Sequence, residues 1–213
     1  MFIRSLETAM NKKEPKTLKI KTKGLLMFKK ILLLGLLTLT PLLAMKETEI
    51  RNEMNVKIST ITQILKNKSL SLAAKKDEIL PIVDTIFNYK TMSKIALGKA
   101  WKRLSETEQE NFESKFEEKL KNSYFEKLEL YTDEEIVIKE LEKLKATRIK
   151  LHADIVGSDK NYELVYKFYK VKNSSDWLIY DVEITGVSII QTYRKQFSEF
   201  LKTKSFSELL NSL

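Results

Sequence analysis

Apolar positions recur at three- and four-residue intervals from Lys46 to Tyr131, alternate singly from Glu134 to Thr185, and return to helical spacing after Val187. Met54, Ile58, Ile61 and Leu65 form the stripe of an amphipathic helix. A second, short helix is predicted from near Ser71, and Pro81, which has no N–H to donate, is predicted to break or kink it. Ser105 stands three residues before Glu108, the signature of a capping box. It opens a helix on which Phe112, Phe116, Leu120 and Tyr124 recur at every fourth position. That interval drifts around the helix by about 40° per step at 3.6 residues per turn, so the stripe is predicted to wrap over a curved surface.

In the alternating region Ile149, Leu151, Ala153 and Ile155 take turns with Arg148, Lys150, His152 and Asp154, which predicts a strand with one wet face. Gly157 to Asn161 is a turn. Tyr162, Leu164, Tyr166 and Phe168 then share one face, with Val165, Tyr169 and Val171 on the other. After a turn at Asn173 to Asp176, the strand from Trp177 is read with Leu178, Tyr180, Val182 and Ile184 on one side. Short connections force antiparallel pairing. Helices set apart from consecutive antiparallel strands give an α+β fold, here a curved sheet of about four strands with helices over its inner face. A final helix carries Val187, Ile190, Tyr193, Phe197 and Leu201 on one side, and a last turn or two contains Phe206, Leu209, Leu210 and Leu213.

Ahead of this pattern lies Met27 to Ala44, with Lys29 and Lys30, an apolar run from Ile31, and a small residue at the end. That is the order of a cleavable secretory signal peptide. The run is shorter than the ~20 apolar residues that span a bilayer, and it contains Pro41 and two threonines. Leu42, two positions before Ala44, is larger than usual there. Residues 1–26 are polar and lysine-rich and fit no part of a leader. They are read as an extension ahead of a true start at Met27, or as a disordered segment. The expected organisation is therefore residues 1–26, a signal peptide over 27–44, and one domain over 45–213, exported to the periplasm.

The leader changes the meaning of the charge. The chain has 38 Lys and Arg against 29 Asp and Glu, a net +9. Nine of those bases and two of the acids precede residue 46, so the remainder is nearly balanced at 29 against 27. No basic stripe is left to neutralise phosphates, and nucleic-acid binding is not expected. The chain has no cysteine, which removes lipoprotein anchoring, disulfides and thiolate metal sites.

Catalytic patterns are sparse. His152 is the one histidine and reads as a solvated strand residue, so a Ser-His-Asp triad or histidine metal site lacks its centre. Gly98, Gly157 and Gly186 stand alone, without the spacing of a phosphate-cradling loop. Glu113, Glu117 and Glu118 read as solvated ion pairs with Lys115 and Lys119 along one helix. What remains is an abundance of large apolar side chains, which can close into a core or leave a cleft.

Two blocks carry a family resemblance. The first is Phe87-Asn88-Tyr89, Met92, Ala96-Leu97-Gly98, Trp101, Ser105, Glu108, Phe112 and Phe116. The second is Trp177 to Val182, Ile184, Gly186-Val187-Ser188, Tyr193-Arg194 and Gln196-Phe197. Together they resemble the MlaC family, also called the toluene-tolerance auxiliary family, of periplasmic phospholipid carriers. The resemblance runs from the first helix to Leu213. It departs at Ile189-Ile190, where Leu-Val or similar is usual, and in a divergent N-terminal region.

Membership implies a deep apolar cavity holding the acyl tails of a phospholipid as cargo, with no cofactor, no metal and no enzymatic step. It implies transfer between an outer-membrane lipoprotein complex and an inner-membrane ATP-driven transporter with an MCE-type protein, in maintaining outer-membrane lipid asymmetry. The inward apolar positions expected to line the cavity are Phe112, Phe116, Leu120, Tyr124, Val165, Tyr166, Ile179, Val187, Ile190 and Tyr193. Trp101 and Trp177 are expected as packing anchors. Asp181 and Arg194 are expected to form an ion pair tying a strand to the last long helix, or Arg194 to face a lipid phosphate. Two other classes stay open on the same pattern. One is an adaptor or chaperone with a groove for peptides. The other is an enzyme on a cone-like α+β fold acting on a small apolar substrate, with Asp154 or Asp181 as its acid.

Overall fold

The computed structural model describes residues 45–128, 134–158 and 160–213. The predicted leader over 27–44, residues 1–26, Tyr131 and Asp159 lie outside them. The helices are α1 (Ile50–Lys66), α2 (Leu72–Asp84), α3 (Tyr89–Leu97), a 3-10 turn (Ala100–Arg103) and α4 (Glu106–Leu128). The strands β1 (Glu135–Lys145), β2 (Arg148–Val156), β3 (Asn161–Lys170), β4 (Trp177–Ile184) and β5 (Val187–Ser188) follow, then α5 (Ile189–Phe200) and α6 (Phe206–Ser212).

Side-chain caps set several helix starts. The Ser71 hydroxyl accepts from the Ala74 N–H at 3.2 Å, and the Asn88 amide oxygen from the Thr91 N–H at 2.8 Å. At the start of α4 the capping box is complete: the Ser105 N–H donates to Glu108 at 2.9 Å and the Glu108 N–H to the Ser105 hydroxyl at 3.3 Å. Pro81 does not end α2, which continues to Asp84.

The sheet order is β1-β2-β3-β4-β5, antiparallel at each pairing. Residue by residue, β4 departs from the simple alternation. Lys167 pairs with Asp181 but Phe168 pairs with Ile179, so Tyr180 is an extra residue on its strand. An extra residue reverses the facing of everything on one side of it. Trp177 and Ile179 therefore enter the core before the bulge, and Val182 and Ile184 after it. The expected common face of Leu178, Tyr180, Val182 and Ile184 is corrected accordingly. The fifth strand, of two residues, is reached through Thr185 and Gly186, both at positive φ (49° and 77°). It claims Val187, which is 41% exposed and not part of the last long helix.

The helices pack on one sheet face. Ile149, Leu151, Phe168, Trp177 and Ile179 form a continuous core with Met54, Met92, Phe112, Phe116, Ile190, Phe197 and Leu209. Each such side chain contributes about 1.5–3 kcal/mol of hydrophobic burial. The other face is a polar lattice. Lys139 pairs with Asp154, the His152 ring lies 3.1 Å from Glu142, and Arg148 stacks 4.9 Å from Tyr169 and 5.2 Å from Tyr180. Beyond β4 the edge is used: the Trp177 N–H donates to the Met45 carbonyl at 2.9 Å and the Ile179 N–H to the Ile86 carbonyl at 2.8 Å. β1, the opposite edge, carries Lys139, Glu140, Lys143 and Lys145, charges that discourage pairing with another chain.

Candidate functional site: an apolar cavity under α2 and α4

The helix layer has a filled zone and a hollow one. In the filled zone Phe116 meets Tyr193 edge-on at 5.0 Å and Phe112 meets Phe197 edge-on at 5.7 Å and Phe206 at 6.2 Å. These contacts join α4 to α5 and α6 as a solid aromatic seam. In the hollow zone α2 and the second half of α4 stand off the sheet and enclose a cavity of about 280 Å³, just under the ~300–1,000 Å³ of common small-molecule sites.

The cavity roof is Ile79, Leu80 and Val83 of α2 with Leu120, Lys121, Tyr124 and Phe125 of α4. Its floor is Ile136, Ile155, Leu164, Tyr166, Val182 and Ile184 of the sheet. Phe87, Tyr89, Met92 and Ile189 close the end. Apart from Lys121, no lining side chain is charged, and three phenols supply the other side-chain polar atoms. Burial pushes the Tyr89, Tyr124 and Tyr166 hydroxyls above the ordinary phenol range. Asp84 and Glu117 add to this at Tyr89, and Tyr193 and Asp181 at Tyr124. All three phenols stay neutral at physiological pH.

Lys121 marks the way out. Its ammonium lies 2.7 Å from Asp84, the last residue of α2, and 2.5 Å from Glu117, and stands 5.1 Å over the Tyr89 ring. Burial pulls this ammonium down, but the hydrogen bonds to Asp84 and Glu117 outweigh it and the net direction is up, so it remains charged. Leu80 and Lys121 also line a polar groove of about 600 Å³ with Lys76, Glu110, Glu113, Ser114, Glu117, Glu118 and Asn122. Cavity and groove thus meet at Lys121. Burial raises the Glu113 carboxyl above its usual range. Glu117 pairs with Lys121, not with the neighbouring lysines expected from sequence; the Lys115 ammonium instead donates to the Leu210 carbonyl at 3.0 Å.

Of the positions expected to line a cavity, Leu120, Tyr124 and Tyr166 do so. The others are corrected. Phe112, Phe116 and Tyr193 belong to the aromatic seam. Ile179 and Ile190 are fully buried in the packed core, and Val165 pairs with His152 and Glu183 across the opposite sheet face. Val187 points to solvent from β5.

The expected Asp181–Arg194 pair does not form. Asp181 is buried and accepts from the Ser188 hydroxyl at 2.6 Å, the Ile190 N–H at 3.1 Å and the Lys167 ammonium at 3.1 Å. It therefore anchors the first turn of α5 to β4 through the helix N-terminus, where a carboxylate is favoured. The Arg194 guanidinium lies over Gly98, where a Cβ would stand 3.2 Å from Nε. Gly98 also has φ +57°, a second reason for glycine at that helix end.

Sequence reasoning passed over the α2 wall, Ile79, Leu80 and Val83, because the Pro81 signal dominated that stretch. Ile155, Leu164 and Ile184 were legible as strand alternation but not as a cavity floor. Among the described residues no group of three or more acidic or histidine side chains could hold a metal ion, and no helix is long and apolar enough to cross a membrane.

Comparison with known proteins adds two findings. The profile of the family described as MlaC protein matches residues 56–213. Among solved structures, the fold is similar to that of the phospholipid-binding protein from Ralstonia solanacearum in complex with a phospholipid. The TM-score is 0.62 at 18% sequence identity, over 79% of this chain and 94% of that chain.

Proposed function

The chain belongs to the MlaC family, and from that premise we propose that it is a phospholipid carrier, holding acyl chains in the cavity beneath α2 and α4. The observation that carries this reading is the cavity itself, whose walls are apolar on every side and whose one charged lining residue sits at the junction with a polar groove. Burying a methylene gains about 0.8 kcal/mol, so a diacyl lipid crosses water only inside an apolar enclosure. Handing it on needs no bond to be made or broken, and the carrier is not an enzyme. The phospholipid complex of the Ralstonia protein of similar fold supports the same cargo.

At about 280 Å³ the cavity is small for a diacyl lipid, and loading widens it. The seam between α4 and α5 is aromatic and closed. The contacts from α2 to α4 are polar at the rim, Lys76 to Asn122 at 2.9 Å and Asp84 to Lys121, and can be exchanged for polar partners brought by water or by the lipid. Loading therefore moves α2. In this reading the protein works in the periplasm, exported by the segment over 27–44, with Met45 at the start of the domain. It exchanges lipid with an outer-membrane lipoprotein complex and an inner-membrane ATP-driven transporter bearing an MCE-type protein.

Native mass spectrometry with organic extraction tests the cargo. A stoichiometric phospholipid is the expected result. A folded protein that arrives empty and takes no lipid from vesicles would instead favour a peptide-binding adaptor. Intact-mass analysis of protein from its native cell, fractionated into periplasm and cytoplasm, tests export. A mass beginning within the first 26 residues, in the cytoplasm, would overturn it.

A further inference from the structure

We propose that Lys121 is the head-group-positioning residue of the site, exchanging the Asp84 carboxylate for the phosphate of the bound lipid. The inference rests on the carrier reading above and adds to it a contact and a coupled motion. Lys121 lines the apolar cavity and the polar groove at once. A lipid whose tails fill the cavity must place its glycerol and phosphate where these two spaces join. The lysine side chain is only 17% exposed, so its ammonium is held at that junction and not free in solvent.

Its present partners are unequal. Glu117 lies one turn away on the same helix, a contact that survives any movement of α2. Asp84 reaches Lys121 from the end of α2, and its carboxylate is 43% exposed, ready to be solvated once released. The Tyr89 hydroxyl, 3.3 Å from Asp84, belongs to the same cluster. Replacing Asp84 by a phosphate oxygen keeps the ammonium satisfied while it releases one of the two polar rim contacts between α2 and α4 among the described residues, leaving only Lys76 to Asn122. Lipid entry and the loosening of the roof thus become one event.

The test measures binding of a fluorescent phosphatidylethanolamine and of the diacylglycerol with the same chains, which lacks the phosphate. Wild type, Lys121→Met and Asp84→Asn are compared, each checked for a native melting transition. Lys121→Met is expected to bind the phospholipid about tenfold more weakly, the loss of one charge-assisted hydrogen bond, with a clearly smaller loss for diacylglycerol. Asp84→Asn is expected to take up phospholipid faster. Equal loss of both ligands in Lys121→Met, no loss of either, or slower uptake by Asp84→Asn would overturn the proposal. Wild type that binds neither ligand would overturn the carrier reading beneath it.

Discussion

Asp181 shows how much one side chain can organise. Its carboxylate, 2% exposed, holds Ser188, the Ile190 N–H and Lys167 together. Lys167 keeps Glu183 in Asp181→Ala, but the Ser188 hydroxyl and the Ile190 N–H lose their acceptor, and two buried donors left unsatisfied cost about 3 kcal/mol together. For a domain of this size that lowers the melting temperature by about 6–12 °C, at roughly 2–4 °C per kcal/mol. Ser93 is the opposite case, with a buried hydroxyl that finds no hydrogen-bond partner among the described residues. Ser93→Ala is expected to be neutral or stabilising by up to about 1 kcal/mol, read from a denaturant midpoint. A loss of more than about 1 kcal/mol would contradict this. At this scale sequence reading named Asp181 but chose the wrong cation. Arg194 follows it in a plausible spacing, whereas Lys167 is brought alongside only by cross-strand register, which one strand cannot reveal. In the cavity, Ile155→Trp is expected to fill the floor and abolish lipid retention while the melting transition stays cooperative.

The elements were legible where a local rule decides them. Ser105 and Glu108 announce α4, and Ser105→Ala is expected to cost about 1 kcal/mol. The N–H and hydroxyl of Ser105 hold the Glu108 carboxyl below its usual range. Its contribution is therefore full above the ordinary carboxylate pKa and is lost as pH falls through the lowered folded value. Comparing Ser105→Ala with wild type at neutral and strongly acidic pH should show the gap narrowing in acid. The stripe on α4 was read correctly as a wrapping one, but its consequence was not. Three steps from Phe112 to Tyr124 turn by roughly 120°, so Phe112 and Phe116 face the α5 seam while Leu120 and Tyr124 face the cavity. The β4 bulge was invisible because alternation assumes that every residue has a partner. Because Tyr180 is the extra residue, deleting it should leave Lys167–Asp181 and Phe168–Ile179 as successive regular pairs with Trp177 and Ile179 still facing the core, so the variant should fold. Tyr180→Ala, which loses a stack on Arg148, should cost under about 1 kcal/mol.

For the whole molecule the α+β class followed from helices set apart from alternating strands, and the solved structure of similar fold agrees with it. A void is not written in spacing, because the same apolar side chains make a filled seam on one side of α4 and a hollow on the other. The central claim is that lipid tails occupy that hollow and not the seam. The most direct measurement places a photoreactive benzoylphenylalanine at Phe87, on the cavity wall, or at Phe206, in the seam, and irradiates each protein loaded with phospholipid. A covalent phospholipid adduct by mass is expected from position 87 and none from position 206. An adduct from 206 alone, or none from 87 while lipid still co-purifies, would contradict it.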